Sequence, residues 1–309
     1  MTPSAEPTLS VIIVAWNCRE YLRRCLEALE PALAGLSAEI IVADNDSSDG
    51  TPALLRQDFS HVTLIEMGRN AGFAAAANRA AAQGRGQFLW LLNPDTCTSS
   101  DCPSALLVCL KERPRAGAAG PRLQDVAGQP DPRSARRFPT LLSEWVEKAG
   151  LRRLALHLTD LRLDEMACRP VPCVSGAAML VRRSAWLALG GLDEAFFLYA
   201  EDLDFCRRLA TAGWEVWYCG AAAITHVGGG SSGQQPETAG VNAILSMATY
   251  FQKHGGGLYG SLYRAGVAAL SLLKLLACAP FAPFWAAARR KAALHCRLIV
   301  ALASGARHV

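Results

Sequence analysis

The stretch EIIVADNDSSDGT, residues 39–51, decides how the first half of this chain folds. An apolar run over 39–44 ends in Asp44, and the Asn, Asp, Ser and Gly residues that follow are typical of a turn. A helical pattern begins directly after the turn, near residue 52. A strand, a turn and a helix in this order form part of a β-α-β unit and predict a parallel sheet.

The same alternation of short apolar runs and helical patterns extends on both sides of this stretch. The predicted elements of the first half are strand 9–15, helix 19–33, strand 39–44, helix 52–58, strand 62–67, helix 72–83, strand 87–93 and helix 102–112. Such an order is typical of an open sheet with helices on both faces. We therefore predict an α/β fold with a doubly wound, mostly parallel sheet flanked by helices.

The second half of the chain has a looser pattern, loop-like between Pro121 and Val171 apart from a helical stretch near 141–157. Order returns with strand 172–183, helix 184–189, a helix that contains Asp202, and strands 214–219 and 222–227. We predict a domain over residues 1–235, with halves 9–121 and 122–235, and a C-terminal helical region over 236–309.

Composition places the chain among globular proteins. Its 309 residues are 51% hydrophobic and 19% charged, and the net charge of +4 is too small to indicate a nucleic-acid partner. Eleven cysteines without a C-x-x-C pair favour a reducing cytosol, where Cys25, Cys109 and Cys206 would act as small buried hydrophobes. The N-terminal residues show neither a basic start nor an apolar core, so we expect a cytoplasmic protein.

The C-terminal region differs from the rest in charge. After Glu237 the chain has no acidic residue, and residues 265–288 contain a single charge, Lys274, and two prolines. Such a segment indicates an acidic partner, for example a membrane surface. An ordinary packed helical layer and a membrane-interfacial helix both remain open, while Pro280 and Pro283 make a membrane span less favourable.

Polar side chains follow each of the first four predicted strands. They are Asn17, Asp44, Arg69, Asn70, Asn93 and Asp95. Ligands of open parallel sheets bind beyond the carboxyl ends of the strands, so these residues are candidates for a binding site. The sequence has no G-x-G-x-x-G after the first strand and no P-loop motif, which leaves a nucleotide held by side chains.

Asp95 and His226 are candidate metal ligands. His226 ends the last predicted strand, and Asp95 stands where a divalent ion could bridge two phosphates. Carboxylate and imidazole ligands suit Mg²⁺ or Mn²⁺.

Three acids begin the helix that contains Asp202. A helical wheel places Asp202 on the same side as an apolar stripe and places Glu201 and Asp204 on the opposite, solvent-exposed side. Asp204 and Arg208 are spaced to form an i, i+4 ion pair. Asp202 is therefore the acid that we expect to point inward.

These motifs resemble those of the family 2 inverting glycosyltransferases, most closely the rhamnosyltransferase-type members that build bacterial surface polysaccharides. The motifs that carry the resemblance are VIIVAWN, EIIVADNDSSDGT, GRNAGFAAAAN, LLNPDT, SGAAMLVRR, GGLDEAFFLYAEDLDFCRRL and the late His226. They run in order from about residue 9 to residue 232. The resemblance implies a GT-A fold.

The resemblance also implies roles for the strand-end residues. Asp44 would recognise a pyrimidine base, and Asn17 and Arg69 would line the nucleotide pocket together with Asn70.

Further roles concern the metal and the chemistry. Asn93 and Asp95 stand at the family's D-x-D element, with Asn at its first position, and His226 matches the second metal ligand. Asp202 matches the catalytic base.

Four residues are candidate contacts to the acceptor or to a phosphate. Glu201 and Asp204 could contact the acceptor or support their helix. Arg136 and Arg137 could reach the diphosphate or an acceptor phosphate, and a solvated basic loop remains an equal alternative.

The implied function is metal-dependent, inverting transfer of a sugar from a nucleotide-diphosphate sugar. The branch favours dTDP-L-rhamnose as donor and a glycan or polyprenyl-diphosphate-linked acceptor at the inner face of the cell membrane. Alternatives are a UDP-hexose or UDP-N-acetylhexosamine transferase, a non-catalytic nucleotide-sugar binding protein, and a membrane-surface protein whose working part is the basic tail.

Overall fold

The computed structural model describes residues 6–161, 163–164, 166–230, 232–306 and 308. The chain forms two compact units. The sheet unit comprises Met1–Phe138, Asp160–Glu194 and Glu201–Gln234, and the helical unit comprises Pro139–Thr159, Ala195–Ala200 and Gln235–Val309. The predicted regions 1–235 and 236–309 include residues 1–5, 162, 165, 231, 307 and 309, which lie outside the described residues. The boundary at residue 235 stays a prediction.

Strands and helices alternate through the first third of the chain. Up to residue 136 the elements are β1 (Leu9–Ala15), α1 (Arg19–Ala32), β2 (Ala38–Asp44), α2 (Thr51–Asp58), β3 (Thr63–Glu66), α3 (Phe73–Ala81), β4 (Phe88–Leu92), β5 (Thr96–Thr98), α4 (Cys102–Lys111), β6 (Ala116–Gln124) and β7 (Ala135–Arg136). The remaining elements are α5 (Leu141–Lys148), α6 (Arg152–Thr159), β8 (Cys168–Pro170), β9 (Cys173–Val174), β10 (Ala178–Arg182), α7 (Arg183–Leu189), α8 (Glu201–Thr211), β11 (Glu215–His226), α9 (Pro236–Gly255), α10 (Gly257–Cys278) and α11 (Ala286–Ala303).

The sheet unit is built on a nine-stranded mixed sheet. Eight strands follow the order β3-β2-β1-β4-β10-β6-β11-β5, and β8 pairs with β11. Strands β1 to β4 run parallel, as do β6 and β11, whereas β10 is antiparallel to both β4 and β6. Because β10 runs opposite to both β4 and β6, strand β6 and its parallel neighbour β11 run in the same direction as β4. Strand β11 therefore ends at the same edge of the sheet as β4.

Apolar strands and helices explain the stability of this layout. Every residue of β1 is buried, as expected for a central strand covered on both faces. The alanine-rich α3 packs on β1 and β2 through Ala76, Ala77 and Ala80, whose small side chains allow a close approach. The predicted doubly wound, mostly parallel sheet is confirmed.

Several details differ from the sequence-based prediction. The strand predicted over 172–183 is divided into β9 and β10, and the short strands β7 and β8 lie in the segment that was expected to be loop-like. The two strands predicted over 214–227 form the single strand β11, whose register shifts between Cys219 and Ala223. The short strand β5 was not predicted. The helical stretch near 141–157 is divided into α5 and α6 because Gly150 adopts a φ of +97° between them.

The helical unit contains α5, α6 and the C-terminal helices α9 to α11. Helix α10 packs against α9, α11 and α5. In the described part of the chain, one segment, Gly257–Phe281, is long and apolar enough to cross a membrane, by length and composition alone. Most of this segment is not buried within the chain.

Candidate active site

Asp95 and His226 meet at the carboxyl edge of the sheet. Asp95 lies between β4 and β5, and His226 is the last residue of β11, where antiparallel pairing sets it opposite Thr96. The imidazole Nε2 of His226 lies 3.3 Å from Oδ1 of Asp95, and the backbone N–H of Gly230 donates to Oδ2 at 3.0 Å. Strand order therefore joins two residues that are 131 positions apart (226 minus 95).

The surroundings of Asp95 favour its charged form. Burial acts to raise the pKa of this carboxyl, but the hydrogen bond and charge of His226 and the N–H of Gly230 outweigh it and lower the pKa below its ordinary value. A buried carboxylate beside an imidazole offers two donor atoms that converge on one point, an arrangement suited to a divalent cation.

Asp202 lies in the first turn of α8 and is held by backbone N–H groups. Its Oδ2 accepts from the N–H of Gly176 at 3.0 Å, and its Oδ1 accepts from the N–H of Leu203 at 2.7 Å. A side chain at position 176 would begin 3.1 Å from the Cβ of Asp202, so glycine is what permits the approach. The guanidinium of Arg136 lies 3.9 Å from the same Oδ2.

The predicted exposure of Glu201 and Asp204 is wrong. Glu201 is 8% exposed and Asp204 is completely buried, whereas Asp202, expected to be the acid that points inward, is only half-buried. The helical wheel considers one apolar stripe, but α8 is packed by β9, β11 and α7, so more than one face is covered. The predicted pair exists, since Nε of Arg208 lies 2.7 Å from Oδ2 of Asp204.

Glu201 is a buried acid next to another acid. Burial and the negative charge of Asp202 raise the pKa of Glu201 to about 8. Its Oε2 has no hydrogen-bond partner within the described part of the chain. At neutral pH the neutral form of Glu201 therefore predominates, and it adds little negative charge beside Asp202.

Several strand-end side chains hold neighbouring loops in place. Oδ1 of Asn17 accepts from the N–H of Ser48 at 2.7 Å, and Oδ1 of Asn70 accepts from the N–H of Gly72 at 3.1 Å. Asn17 adopts a φ of +48°, a left-handed conformation that Asn tolerates better than most residues. Part of the hydrogen-bonding capacity of these side chains is therefore used to hold the loops at the carboxyl edge of the sheet.

Asp44 has one carboxylate oxygen in use and one available. Oδ2 accepts from the N–H of Ser47 at 3.0 Å, while the buried Oδ1 has no hydrogen-bond partner among the described residues. Asn45, which follows Asp44 at the end of β2, donates to the carbonyl of Gly72 and accepts from the N–H of Ala71.

The remaining candidates are spread over the sheet unit. Arg69 and Arg137 are exposed, and Asn93 is half-buried. Arg136, expected to reach a phosphate, faces the carboxylate of Asp202 instead of lying free in a loop, because β7 pairs with β9. The structure thus forms two clusters, Asp95 with His226 and Asp202 with Arg136.

Solved structures that resemble this chain include a mannosyltransferase and a protein in complex with UDP. The mannosyltransferase PcManGT from Pyrobaculum calidifontis, in complex with GDP-Man and Mn²⁺, matches with a TM-score of 0.56 at 17% identity, over 98% of this chain and 87% of that one. Residues 1–349 of S. aureus TarS, in complex with UDP, match with a TM-score of 0.54 at 14% identity, over 96% and 92% of the two chains. The fold is therefore that of the GT-A glycosyltransferases.

Sequence comparison then identifies the family. Residues 10–188 match the family model Glycosyl transferase family 2, and residues 132–304 match Glycosyl transferase family group 2. Since the first match spans more than half of the chain, the chain belongs to glycosyl transferase family 2. This confirms the predicted enzyme class.

Relatives in this family include rhamnosyltransferases. The N-acetylglucosaminyl-diphospho-decaprenol L-rhamnosyltransferase of Mycobacterium tuberculosis is 34% identical over 254 residues, covering 74% of this chain and 78% of the relative. Rhamnosyltransferase WbbL of Escherichia coli is 27% identical over 227 residues, covering 70% and 82%.

Proposed function

We propose that this enzyme transfers L-rhamnose from dTDP-rhamnose, with inversion, to an N-acetylglucosamine unit carried on a polyprenyl diphosphate. The observation that carries the proposal is the 34% identity to the mycobacterial L-rhamnosyltransferase over 78% of that protein. The relative's acceptor, by its name, is a lipid-linked N-acetylglucosamine, and its transferred sugar is L-rhamnose.

Asp44 supports a thymine or uracil nucleotide. Its buried Oδ1 has no hydrogen-bond donor among the described residues, and both bases carry an N–H at ring position 3 that can donate to a carboxylate. A buried acceptor of this kind gains a partner when the base binds. It does not by itself separate thymine from uracil, which differ by a methyl group.

Asp202 supplies the base for the transfer step. Its carboxylate takes the proton of the acceptor hydroxyl while that oxygen attacks the anomeric carbon and the bond to the diphosphate breaks on the opposite face. The N–H groups of Gly176 and Leu203 fix the carboxylate for this role. The neutral Glu201 leaves Asp202 as the principal acceptor of a proton in this turn.

Asp95 and His226 fit a divalent metal ion. Their oxygen and nitrogen atoms lie 3.3 Å apart and face each other, and the side chain of Asn93 leaves Asp95 as the one carboxylate of the D-x-D element. Mg²⁺ or Mn²⁺, when bound, would supply positive charge to the leaving diphosphate. Because one carboxylate is present instead of two, we expect weak binding of the metal in the absence of the donor.

The helical unit supports a site at the cytoplasmic face of the membrane. Its exposed apolar side chains include Leu272, Leu273, Leu276, Phe281, Phe284, Trp285 and Val300. The basic run Arg289, Arg290 and Lys291 begins four residues after Trp285. Apolar and aromatic side chains next to basic ones are typical of helices that lie in the interface of an anionic bilayer.

A donor screen tests the proposed reaction. Purified enzyme is given dTDP-rhamnose, UDP-glucose, UDP-galactose or UDP-N-acetylglucosamine, with a polyprenyl-diphosphate N-acetylglucosamine acceptor, in Mg²⁺, in Mn²⁺ and in chelator. We expect metal-dependent transfer from dTDP-rhamnose alone. Preferred transfer from a UDP-sugar would replace the rhamnosyl assignment by the UDP-sugar alternative and leave the fold and family unchanged.

Vesicle binding tests the membrane site. We expect the full chain to bind vesicles that contain phosphatidylglycerol. Leu273→Ser with Leu276→Ser should weaken binding at least about tenfold, since full burial of one leucine side chain contributes about 1.5–3 kcal/mol. Leu187→Ser changes an equally exposed leucine of the sheet unit and serves as the control. Equal vesicle binding by the double variant and by the Leu187→Ser control would contradict the membrane site.

A further inference from the structure

Three cysteines from distant parts of the sequence meet on the sheet unit, away from the strand-end edge. Cys109 lies in α4, Cys168 begins β8, and Cys219 lies in β11. Their sulfur atoms all lie within 4.8 Å of one another. We refer to these residues as the cysteine triad. Its members are too far apart in sequence for a motif search to find them.

The fold itself sets these positions. Cys168 and Cys219 are direct partners in the antiparallel pairing of β8 with β11. Helix α4 packs against β11 and brings Cys109 over this pair. Cys109 and Cys219 are buried, whereas Cys168 is exposed, so an ion from solvent can reach the sulfur atoms.

The spacing of the sulfurs suits a tetrahedral metal ion. Zn–S bonds of about 2.3 Å at tetrahedral angles place two sulfurs about 3.8 Å apart. The Sγ atoms of Cys109 and Cys168 are 3.9 Å apart. Only a small adjustment of the side chains would give all three zinc–sulfur bonds, and the exposed side of Cys168 leaves room for a water as the fourth ligand.

The charge around the triad suits the same ion. Three thiolates and one Zn²⁺ carry a net charge of −1. The guanidinium of Arg113 lies beside the triad and brings a positive charge that offsets this negative charge. Arg113 is held there by its hydrogen bond to the carbonyl of Cys109, at 3.2 Å, and by its stacking over Trp217, 4.4 Å from the ring centroid.

We propose that the cysteine triad binds one Zn²⁺ ion that fastens the edge strand β8 and helix α4 to β11. The site is separate in chemistry from Asp95 and His226, because thiolates are soft ligands that select zinc over Mg²⁺ and Mn²⁺. Strand β8 has three residues and, within the described ranges of the chain, pairs with β11 alone, so it gains most from an added link. The ion is structural and takes no part in sugar transfer.

The first experiment measures metal binding directly. The full chain is purified under reducing conditions, desalted and analysed for zinc, and its metal is then replaced by Co²⁺. We expect about one zinc per chain and a near-ultraviolet thiolate-to-cobalt absorption band, since Co²⁺ occupies tetrahedral thiolate sites in the manner of zinc. Cys168→Ser, at an exposed position, should remove the band and weaken zinc binding by at least about tenfold, as even outer-shell changes do.

Matched variants locate the ion. Cys296→Ser changes another exposed cysteine and should keep the zinc and the cobalt band. Asp95→Asn should keep the cobalt band too, because it leaves the thiolates unchanged. Amide hydrogen exchange over residues 166–170 should be slower with zinc than with chelator in the wild type, and equal under both conditions in Cys168→Ser.

Three outcomes would overturn the proposal. One is a chain that holds no zinc after desalting and gives no thiolate band with Co²⁺. Another is a band that persists in Cys168→Ser. The third is a disulfide between Cys109 and Cys168 in protein purified without reductant, with no zinc released on reduction.

Discussion

Asp95 and Glu201 are both buried carboxyl groups of the sheet unit, yet their pKa values move in opposite directions. Burial raises the pKa of each, but Asp95 has an imidazole at 3.3 Å and an N–H donor, and its pKa is lowered overall. Glu201 has the negative charge of Asp202 beside it, and its pKa rises to about 8. Burial raises the pKa of both groups, so it is the difference between their partners that separates their charges at neutral pH.

The strand-end edge and the first turn of α8 therefore differ in the charge that their buried acids carry. The strand-end edge keeps a negative charge ready for a cation, while the first turn of α8 keeps one of its acids neutral. Four substitutions test this contrast, from the largest expected effect to the smallest.

Asp202→Asn should abolish most transfer and keep donor binding. The amide preserves the shape of the side chain but cannot take a proton, so kcat should fall about 10³-fold, in the range for loss of a general base. Steady-state transfer and calorimetric titration with dTDP-rhamnose measure the two properties. A variant that turned over at nearly the wild-type rate would rule out Asp202 as the base.

Arg208→Met should destabilise the fold strongly. It removes the ion pair with the fully buried Asp204 and the hydrogen bonds from Arg208 to the carbonyls of Leu189 and Gly191, which together cost about 3–4 kcal/mol in the free energy of unfolding. Arg24→Met breaks the exposed pair with Glu20 and should cost under about 1 kcal/mol. Urea denaturation measures the free energy of unfolding of both variants. Equal decreases in the two variants would show that the buried pair stabilises the fold no more than the exposed pair does.

Asp95→Asn should weaken metal-dependent catalysis. We expect kcat/KM to fall about 10²-fold at a fixed Mn²⁺ concentration, with partial recovery as Mn²⁺ is raised, because charge at the leaving diphosphate is lost. Asp101→Asn alters an exposed acid in the turn before α4 and is the control. Activity of Asp95→Asn that is unaffected in either metal or chelator would remove Asp95 from the metal site.

Glu201→Gln should change the pH dependence of stability. The folded-state pKa of about 8 lies above the ordinary 4.5, so the folded chain holds a proton that the unfolded chain loses in this window. This contribution to stability is complete below pH 4.5 and is lost as the pH rises to about 8.

The neutral amide of the Glu201→Gln variant has no proton to lose. Relative to the wild type, its free energy of unfolding should therefore rise by about 3–4 kcal/mol between pH 5 and pH 8, an order-of-magnitude figure from about 1.4 kcal/mol per pKa unit. Urea denaturation at the two pH values measures the difference. A constant difference between the variant and the wild type across this range would show that Glu201 ionises normally.

Many of the strands and helices could be predicted because each depends mainly on residues that are close together in the sequence. The apolar run that ends in Asp44 and the turn after it specify a strand and a helix without reference to the rest of the chain. The motif order from residue 9 to residue 232 also indicated the family, and the comparisons confirm it. Periodicity could not show that β11 is continuous, because its register shift between Cys219 and Ala223 depends on pairing with β6.

The sequence predicted that candidate residues stand at the strand ends, but it did not predict what surrounds them. The helical wheel correctly spaced Asp204 and Arg208 but placed Asp204 in solvent, because a wheel cannot include the other strands and helices that cover a helix. Arg136 beside Asp202 was missed for a similar reason, since the β7–β9 pairing that positions it joins segments far apart in sequence. The roles of Asp95, Asp202 and His226 stay predictions until they are tested.

Patterns along the sequence predicted the alternation of strands and helices in the first half of the chain, the polar residues at the strand ends and the family. Only the tertiary structure decided that His226 reaches Asp95, that Glu201 is buried beside Asp202, and that three cysteines converge. The physical reason is that local patterns depend on neighbours along the chain, whereas charge and metal affinity depend on neighbours in space, which strand order and helix packing select.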